Sequence, residues 1–275
     1  MMSKPIILAV APVAHDLPKG CDCPVTAKGI AGDVIACAKA GASMVHLHVR
    51  DHEGYLSEDL SVYDETLKLI RAESDIVIQG STGGASTLTR EQRCVAVRHP
   101  DTEVASLNIG STNFDDDVYI NTILDIRYWA NRMLEENVVP EMEVFDLSMI
   151  GTARRLVQEG YVKKPIMSLA VGFENSLEAK AHHIDLMFTE MRTVPDAVIG
   201  FVQHKMTDFN LFRYALLNGA DVVRVGFEDG HTRKDSSLAT TNAQLVEDAV
   251  SVIHEMGFEI ATPDEVRERF GIRRS

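Results

Sequence analysis

Short unbroken apolar runs alternate along the chain with stretches whose apolar residues recur on one helical face. The runs cover residues 6–11, 44–49, 76–79, 104–109, 138–144, 166–171, 197–201 and 222–226. After the first run, Thr26 reads as an N-cap, and Ile30, Val34, Ile35 and Ala38 share one side of a helix. Leu60, Tyr63, Leu67 and Ile70 repeat the pattern after the second run. Further helices are predicted over 89–97, about 117–136, 148–159, 176–191, 208–217 and 242–256. The pattern is eight strands and eight helices, spaced at roughly 30 residues.

Continuous apolar strands separated by helices imply a parallel sheet buried on both faces. Eight such units in a chain of 275 residues match the arithmetic of a (β/α)8 TIM barrel. A doubly wound open sheet is the alternative, but its G-x-G-x-x-G fingerprint is missing from the sequence. No Gly/Ser/Pro-rich linker divides the chain, so residues 1–275 read as a single domain.

Composition narrows the function. Hydrophobic residues make up 45% and charged residues 25%, which excludes disordered and collagen-like classes. The formal charge of −14 weighs against nucleic acid and anionic membranes as partners. Cys21, Cys23, Cys37 and Cys94 are too few for a disulfide framework and read as reduced thiols. The apolar run at 6–11 is shorter than a signal-peptide core or a membrane span, so the expected location is the cytoplasm.

Barrel chemistry sits at the C-terminal ends of strands. The second run carries His46 and His48, which project to the same face of a strand. They form either half of a zinc site or two separately bonded histidines. The eighth run ends Arg224-Val225-Gly226-Phe227-Glu228-Asp229. Strands eight, one and two are neighbours in a closed barrel, so Glu228 can join the histidines in a two-His, one-carboxylate set with positions left open. Asp229 beside it is a general base or a turn residue. Arg224, deep in an apolar run, needs an internal carboxylate or an anionic substrate as its partner. Ser81, with the glycines after it, is an anion-binding turn or a plain tight turn. Ser106 and Asn108 share an inward face, as do Glu141 and Glu143. A carboxylate in the latter pair can bond a metal-bound histidine or meet Arg224.

Together, His46-x-His48-x-Arg50-Asp51, Gln79-x-Ser81-Thr82-Gly83-Gly84, Leu107-Asn108-x-Gly110-Ser111, Val139-Pro140-Glu141-x-Glu143 and Arg224-x-Gly226-x-Glu228-Asp229 resemble the β-keto acid cleavage enzyme family. Ser237, Asn242–Val246 and Ala261-Thr262-Pro263 extend the likeness to nearly the whole chain. The resemblance implies a zinc-dependent barrel, usually a homotetramer. It also implies a transferase reaction in which a β-keto acid and acetyl-CoA give acetoacetate and a new CoA thioester. It assigns zinc to His46, His48 and Glu228, catalysis to Asp229 and Arg224, and substrate contacts to Ser81, Ser106, Asn108, Glu143 and, as the acid after strand one, Asp16.

The rim departs from the family pattern. Pro12-Val13-Ala14-His15-Asp16 stands for a Thr-Gly-Ala-acid segment, Gly172-Phe173-Glu174-Asn175 for a Gly-Gly turn, and residues 200–205 for a Gly-x-Gly-Arg segment. Rim loops select substrates, so two rivals stand beside the CoA-dependent reaction. One is a CoA-independent zinc aldolase or lyase; the other is a non-catalytic barrel that binds a metal-held carboxylate. Because the substrates are anions and the chain is acidic, a local basic funnel of metal, Arg224, Arg50 and Lys205 is expected at the mouth.

Overall fold

The computed structural model describes residues 4–13, 20–21, 23–83, 88–114 and 116–272. In chain order the elements are β1 (Ile7–Val10), α1 (Ala27–Ala40), β2 (Met44–Leu47), α2 (Ser61–Arg71), β3 (Val77–Gly80), α3 (Arg90–Arg93), β4 (Val104–Asn108), β5 (Thr112–Phe114), β6 (Asp117–Tyr119) and α4 (Ile123–Glu135). They continue as β7 (Val139–Val144), α5 (Leu147–Gln158), β8 (Ile166–Val171), α6 (Ala181–Met191), β9 (Val198–Gln203), α7 (Asn210–Leu217), β10 (Val222–Val225), α8 (Asn242–Glu255) and α9 (Pro263–Phe270). Eight parallel strands close in the order β1-β10-β9-β8-β7-β4-β3-β2. The expected (β/α)8 barrel is therefore the fold, and all eight apolar runs are its strands. Among the described residues, no helix is long and apolar enough to cross a membrane.

Two helical expectations need correction, and one helix was not expected. The helix expected from about residue 117 starts at Ile123, capped by Thr122. The residues before it form the antiparallel β5–β6 hairpin, in which Phe114 pairs with Asp117. Ring stacking of Phe114 on Tyr119 and a buried Arg93 bonded to Tyr119 and Asn121 hold those residues extended. The helix expected from 176 starts at Ala181, because Leu177 is spent on a loop whose carbonyl accepts from the Gly172 N–H. Finally, α9 was not anticipated. Its signal was the capping box Thr262-Pro263-Asp264-Glu265, in which each end residue caps the other's backbone.

Two apolar layers enclose the barrel wall. The larger lies between strands and helices. The smaller is the barrel floor: Ile7, Met44, Val77, Val104, Ile166, Val198 and Val222 pack on Ala261, Val266 and Phe270, with Val139 at the edge. Thus α9 plugs the N-terminal end. Because side chains alternate along a strand, the residue two positions further on in each strand forms the next inward ring. That ring is Ala9, His46, Gln79, Ser106, Glu141, Ser168, Gly200 and Arg224. An apolar floor therefore carries a ring of mostly polar side chains, and the site is built on that ring.

Two glycines are needed to shape it. Gly226 adopts φ 135°, and a Cβ there would run into the backbone of Ala11. This close crossing turns the chain after β10 over the end of β1, where the Glu228 N–H donates to the Ala11 carbonyl at 3.2 Å. Gly200 leaves room for its neighbour on β8, since a Cβ there would overlap Ser168 Oγ.

Candidate active site

His46, at the end of β2, and His48, just beyond it, face Glu228 on the loop after β10. His46 Nε2 lies 3.8 Å from Glu228 Oε1, and His48 Nε2 lies 3.4 Å from Glu228 Oε2. One ligand atom from each residue lies within 4.8 Å of the others. Ligands of a tetrahedral zinc ion sit about 3.5 Å apart, so modest adjustment closes this set around one ion. Burial pushes His46 down to about 3, with Glu228 pulling the other way, so the ring is neutral and able to ligate. Burial would raise the Glu228 carboxyl, but His46, His48 and Arg224 hold it well below the usual carboxylate range. The donor set thus fits a divalent ion.

Arg224 rises from β10 into the same space. Its Nε donates to Asp229 Oδ2 at 2.7 Å and an Nη2 hydrogen goes to Asp229 Oδ1 at 2.6 Å. This is a two-pronged grip, and Asp229 is buried. The same guanidinium lies 3.4 Å from Glu228 and 3.7 Å from Glu143. Burial alone would weaken its charge, but the carboxylates of Asp229, Glu228 and Glu143 more than offset that and keep it cationic. Of the two partners left open for Arg224, the structure shows the internal carboxylate. Asp229 is no surface turn residue, and its carboxyl is raised by burial against the opposing pull of Arg224.

The side chains expected in the basic funnel all have partners within the protein. Arg224 meets three carboxylates, Arg50 donates to the Gly54 carbonyl at 2.8 Å, and Lys205 Nζ lies 3.8 Å from Glu174. The carboxylates around Arg224 outnumber it, and a bound cation would make the centre more receptive to an anion.

The remaining site residues line the same end. Ser81 Oγ accepts from the Gly83 N–H at 3.0 Å, and Ser106 Oγ accepts from the Thr82 N–H at 3.2 Å. Both shape the turn after β3. Asn108 pairs in register with Glu143, and its buried Oδ1 has no partner among the described residues. Asp16 and His15 lie outside the described residues. Glu141 bonds Gln79 and Ser168, and through Gln79 it is linked to His46.

Sequence reasoning missed the hairpin's part. A Cβ at Gly83 would lie 3.1 Å from Tyr119 Oη and 3.6 Å from His48 Cε1, so the hairpin tyrosine and His48 border the same glycine. Arg93 donates to that hydroxyl and stacks over Trp129. Across the barrel, Phe145, Phe173 and His204 follow the ends of β7, β8 and β9. Phe173 stacks face to face on Phe114 at 4.5 Å and on His204 at 4.4 Å. Two of the rim segments that depart from the family pattern, those after β8 and β9, thus belong to an aromatic wall that faces β2 and β3 across the barrel. The predicted helix had hidden Tyr119; the phenylalanines gave no periodic signal.

Comparison with known proteins agrees with this geometry. A family model described as beta-keto acid cleavage enzyme matches residues 5–272. The 3-keto-5-aminohexanoate cleavage enzyme of Fusobacterium nucleatum is 36% identical over 259 residues, covering 91% of each chain. The 3,5-dioxohexanoate:acetyl-CoA acetone transferase of Paraburkholderia graminis is 30% identical over 282 residues, covering 91% of this chain and 89% of its own. A solved binary complex of ObcA with oxaloacetate shares the fold, with TM-score 0.78 at 20% identity over 92% of this chain and 68% of that one. A match across nearly the whole sequence, with the site residues converging at one end of the barrel, places the chain in the beta-keto acid cleavage enzyme family.

Proposed function

We propose that this protein is a zinc-dependent transferase that converts a small β-keto acid and acetyl-CoA into acetoacetate and the CoA thioester of the remaining acyl group. The observation that carries this is the meeting of His46, His48 and Glu228 with the Arg224–Asp229 pair at the catalytic end of the barrel. Two imidazoles and a carboxylate with open positions suit zinc. The bound ion supplies a Lewis acid for the ketone oxygen.

Asp229 takes the proton from the carbon between ketone and carboxylate, the most acidic C–H of such a substrate. The carbanion attacks the thioester carbonyl of acetyl-CoA, and the CoA thiolate leaves. The thiolate then attacks the original ketone carbon, and the bond from that carbon to the carboxylate-bearing carbon breaks. Asp229 returns its proton to the released carbanion, which becomes acetoacetate. Arg224 holds Asp229 for both transfers through its two hydrogen bonds. Ser81, Ser106, Asn108 and Glu143 line the substrate pocket beside them, with Asp16 as a further substrate contact. By likeness to the family, the enzyme acts as a cytoplasmic homotetramer, without nucleic acid or membrane.

The test is a panel of β-keto acids incubated with acetyl-CoA, following acetoacetate and new CoA thioesters by mass spectrometry. Turnover of at least one acid is expected. Cleavage that proceeds equally well without acetyl-CoA would replace this reaction with a CoA-independent lyase. Binding without any turnover would leave a carboxylate-binding barrel.

A further inference from the structure

The two ring nitrogens of His46 face different surroundings. Nε2 points toward Glu228, and Nδ1 lies 2.7 Å from Gln79 Oε1. The other end of the Gln79 amide is also engaged: its Nε2 donates to Glu141 Oε2, while Ser168 Oγ donates to Glu141 Oε1. His46, Gln79, Glu141 and Ser168 are each at most 6% exposed, so water does not compete for these bonds.

The order of donors follows from the chemistry of each group. A carboxylate only accepts, so the amide end that faces Glu141 is the NH2. The Gln79 carbonyl is then left facing His46, and a carbonyl only accepts. Nδ1 must therefore carry the hydrogen, which leaves the lone pair on Nε2. Turning the amide over would set its oxygen against the Glu141 carboxylate, two buried acceptors with no proton between them. The small residue on β9 belongs to the same device, since a side chain at Gly200 would overlap the Ser168 hydroxyl.

The geometry points to a buried relay, Ser168–Glu141–Gln79–His46, that locks His46 in the Nδ1–H tautomer and aims its Nε2 lone pair at the metal centre. Gln79, Glu141 and Ser168 are positioning residues, and their value lies in a ligand set before any ion arrives. The inference rests on the metal reading above only for its purpose, because the tautomer exists without metal.

Two measurements test it. Metal-free wild-type protein with 15N-labelled histidine is examined by long-range 1H–15N correlation. His46 is expected to show a protonated Nδ1 and an unprotonated Nε2. An Nε2–H tautomer overturns the relay. Zinc affinity is then measured by chelator competition for Gln79→Met and for the exchanged pair Gln79→Glu with Glu141→Gln. The single variant is expected to bind roughly 10–100-fold more weakly. The exchanged pair again presents an acceptor to Nδ1 and is expected to recover most of the loss. Unchanged affinity in Gln79→Met overturns the relay. Failure of the wild type itself to bind zinc instead overturns the metal reading, and the tautomer measurement stands apart from it.

Discussion

Arg224 grips Asp229 with two hydrogen bonds, of 2.7 and 2.6 Å, across the turn that Gly226 allows at the end of β10. The grip joins a charged residue of the barrel interior to the proposed base, and Glu228, one residue before that base, faces the histidines. Because Glu228 and Asp229 are adjacent in the chain, backbone geometry sets the spacing between the proposed base and this proposed metal ligand.

Asp229→Asn removes the base and keeps the shape. Its kcat is expected to fall by about 10²–10⁴-fold while zinc content stays at the wild-type level. Arg224→Lys keeps the charge but cannot hold both carboxylate oxygens, so its kcat is also expected to fall by roughly 10²-fold. Steady-state kinetics alongside metal analysis separates these effects, and wild-type kcat in Asp229→Asn would remove it from the chemistry.

Metal removal reads the centre directly. Zinc at about 100 times its Kd is expected to stabilise the chelator-treated protein by roughly 2.7 kcal/mol, seen as a rise in Tm. His46→Ala and Glu228→Ala are expected to lose that response. An equal zinc-induced shift in both variants would place the ion elsewhere.

A methyl group at position 200 tests the packing beneath the ring. Gly200→Ala is expected to cost about 1–3 kcal/mol by crowding Ser168. Adding Ser168→Ala should restore part of that loss, because the two residues compete for one space. Strict additivity in urea denaturation would show that the crowding is relieved in some other direction.

Glu143 gives the metal-free protein a pH dependence. Burial pushes its carboxyl up to about 7, with Arg224 opposing and the neighbouring carboxylates Glu141, Glu228 and Asp229 adding to the rise. The folded protein therefore keeps a proton that the unfolded chain releases near its ordinary value of 4.5. Where the native state binds more protons, stability falls as pH rises, here from about 4.5 through 7. Urea midpoints across that range are expected to decline, and the decline should be shallower in Glu143→Gln.

The aromatic wall is expected to select the acyl tail. Phe173, which follows β8, stacks between Phe114 and His204 on the side of the mouth opposite β2 and its His46 and His48. Phe173→Ala is expected to raise KM for keto acids with bulky apolar tails by about 10-fold and to change kcat little. An unaltered substrate profile would confine the stack to a structural role.

The eight apolar runs were enough to establish the barrel, because a strand buried on both faces must be apolar throughout. His46, His48, Glu228, Arg224 and Asp229 stood out for the same reason: each breaks an apolar run or ends one, at the face where barrels keep their chemistry. The hairpin at 112–119 was lost because its charges and aromatics admit a helical reading, and only Arg93 and the ring stacking decide between the two. The α9 plug was lost because its worth lies in what it covers, the floor around Ile7, Met44 and Val77. Charge shows the same division. The −14 total is a property of the chain, but the pairing of Arg224 with three carboxylates is not. The partner of each inward side chain depends on strand register and barrel closure. Sequence alone thus determined the fold and named the chemical groups. Tertiary structure decided that Arg224 holds Asp229 and that Glu141 meets His46 through Gln79.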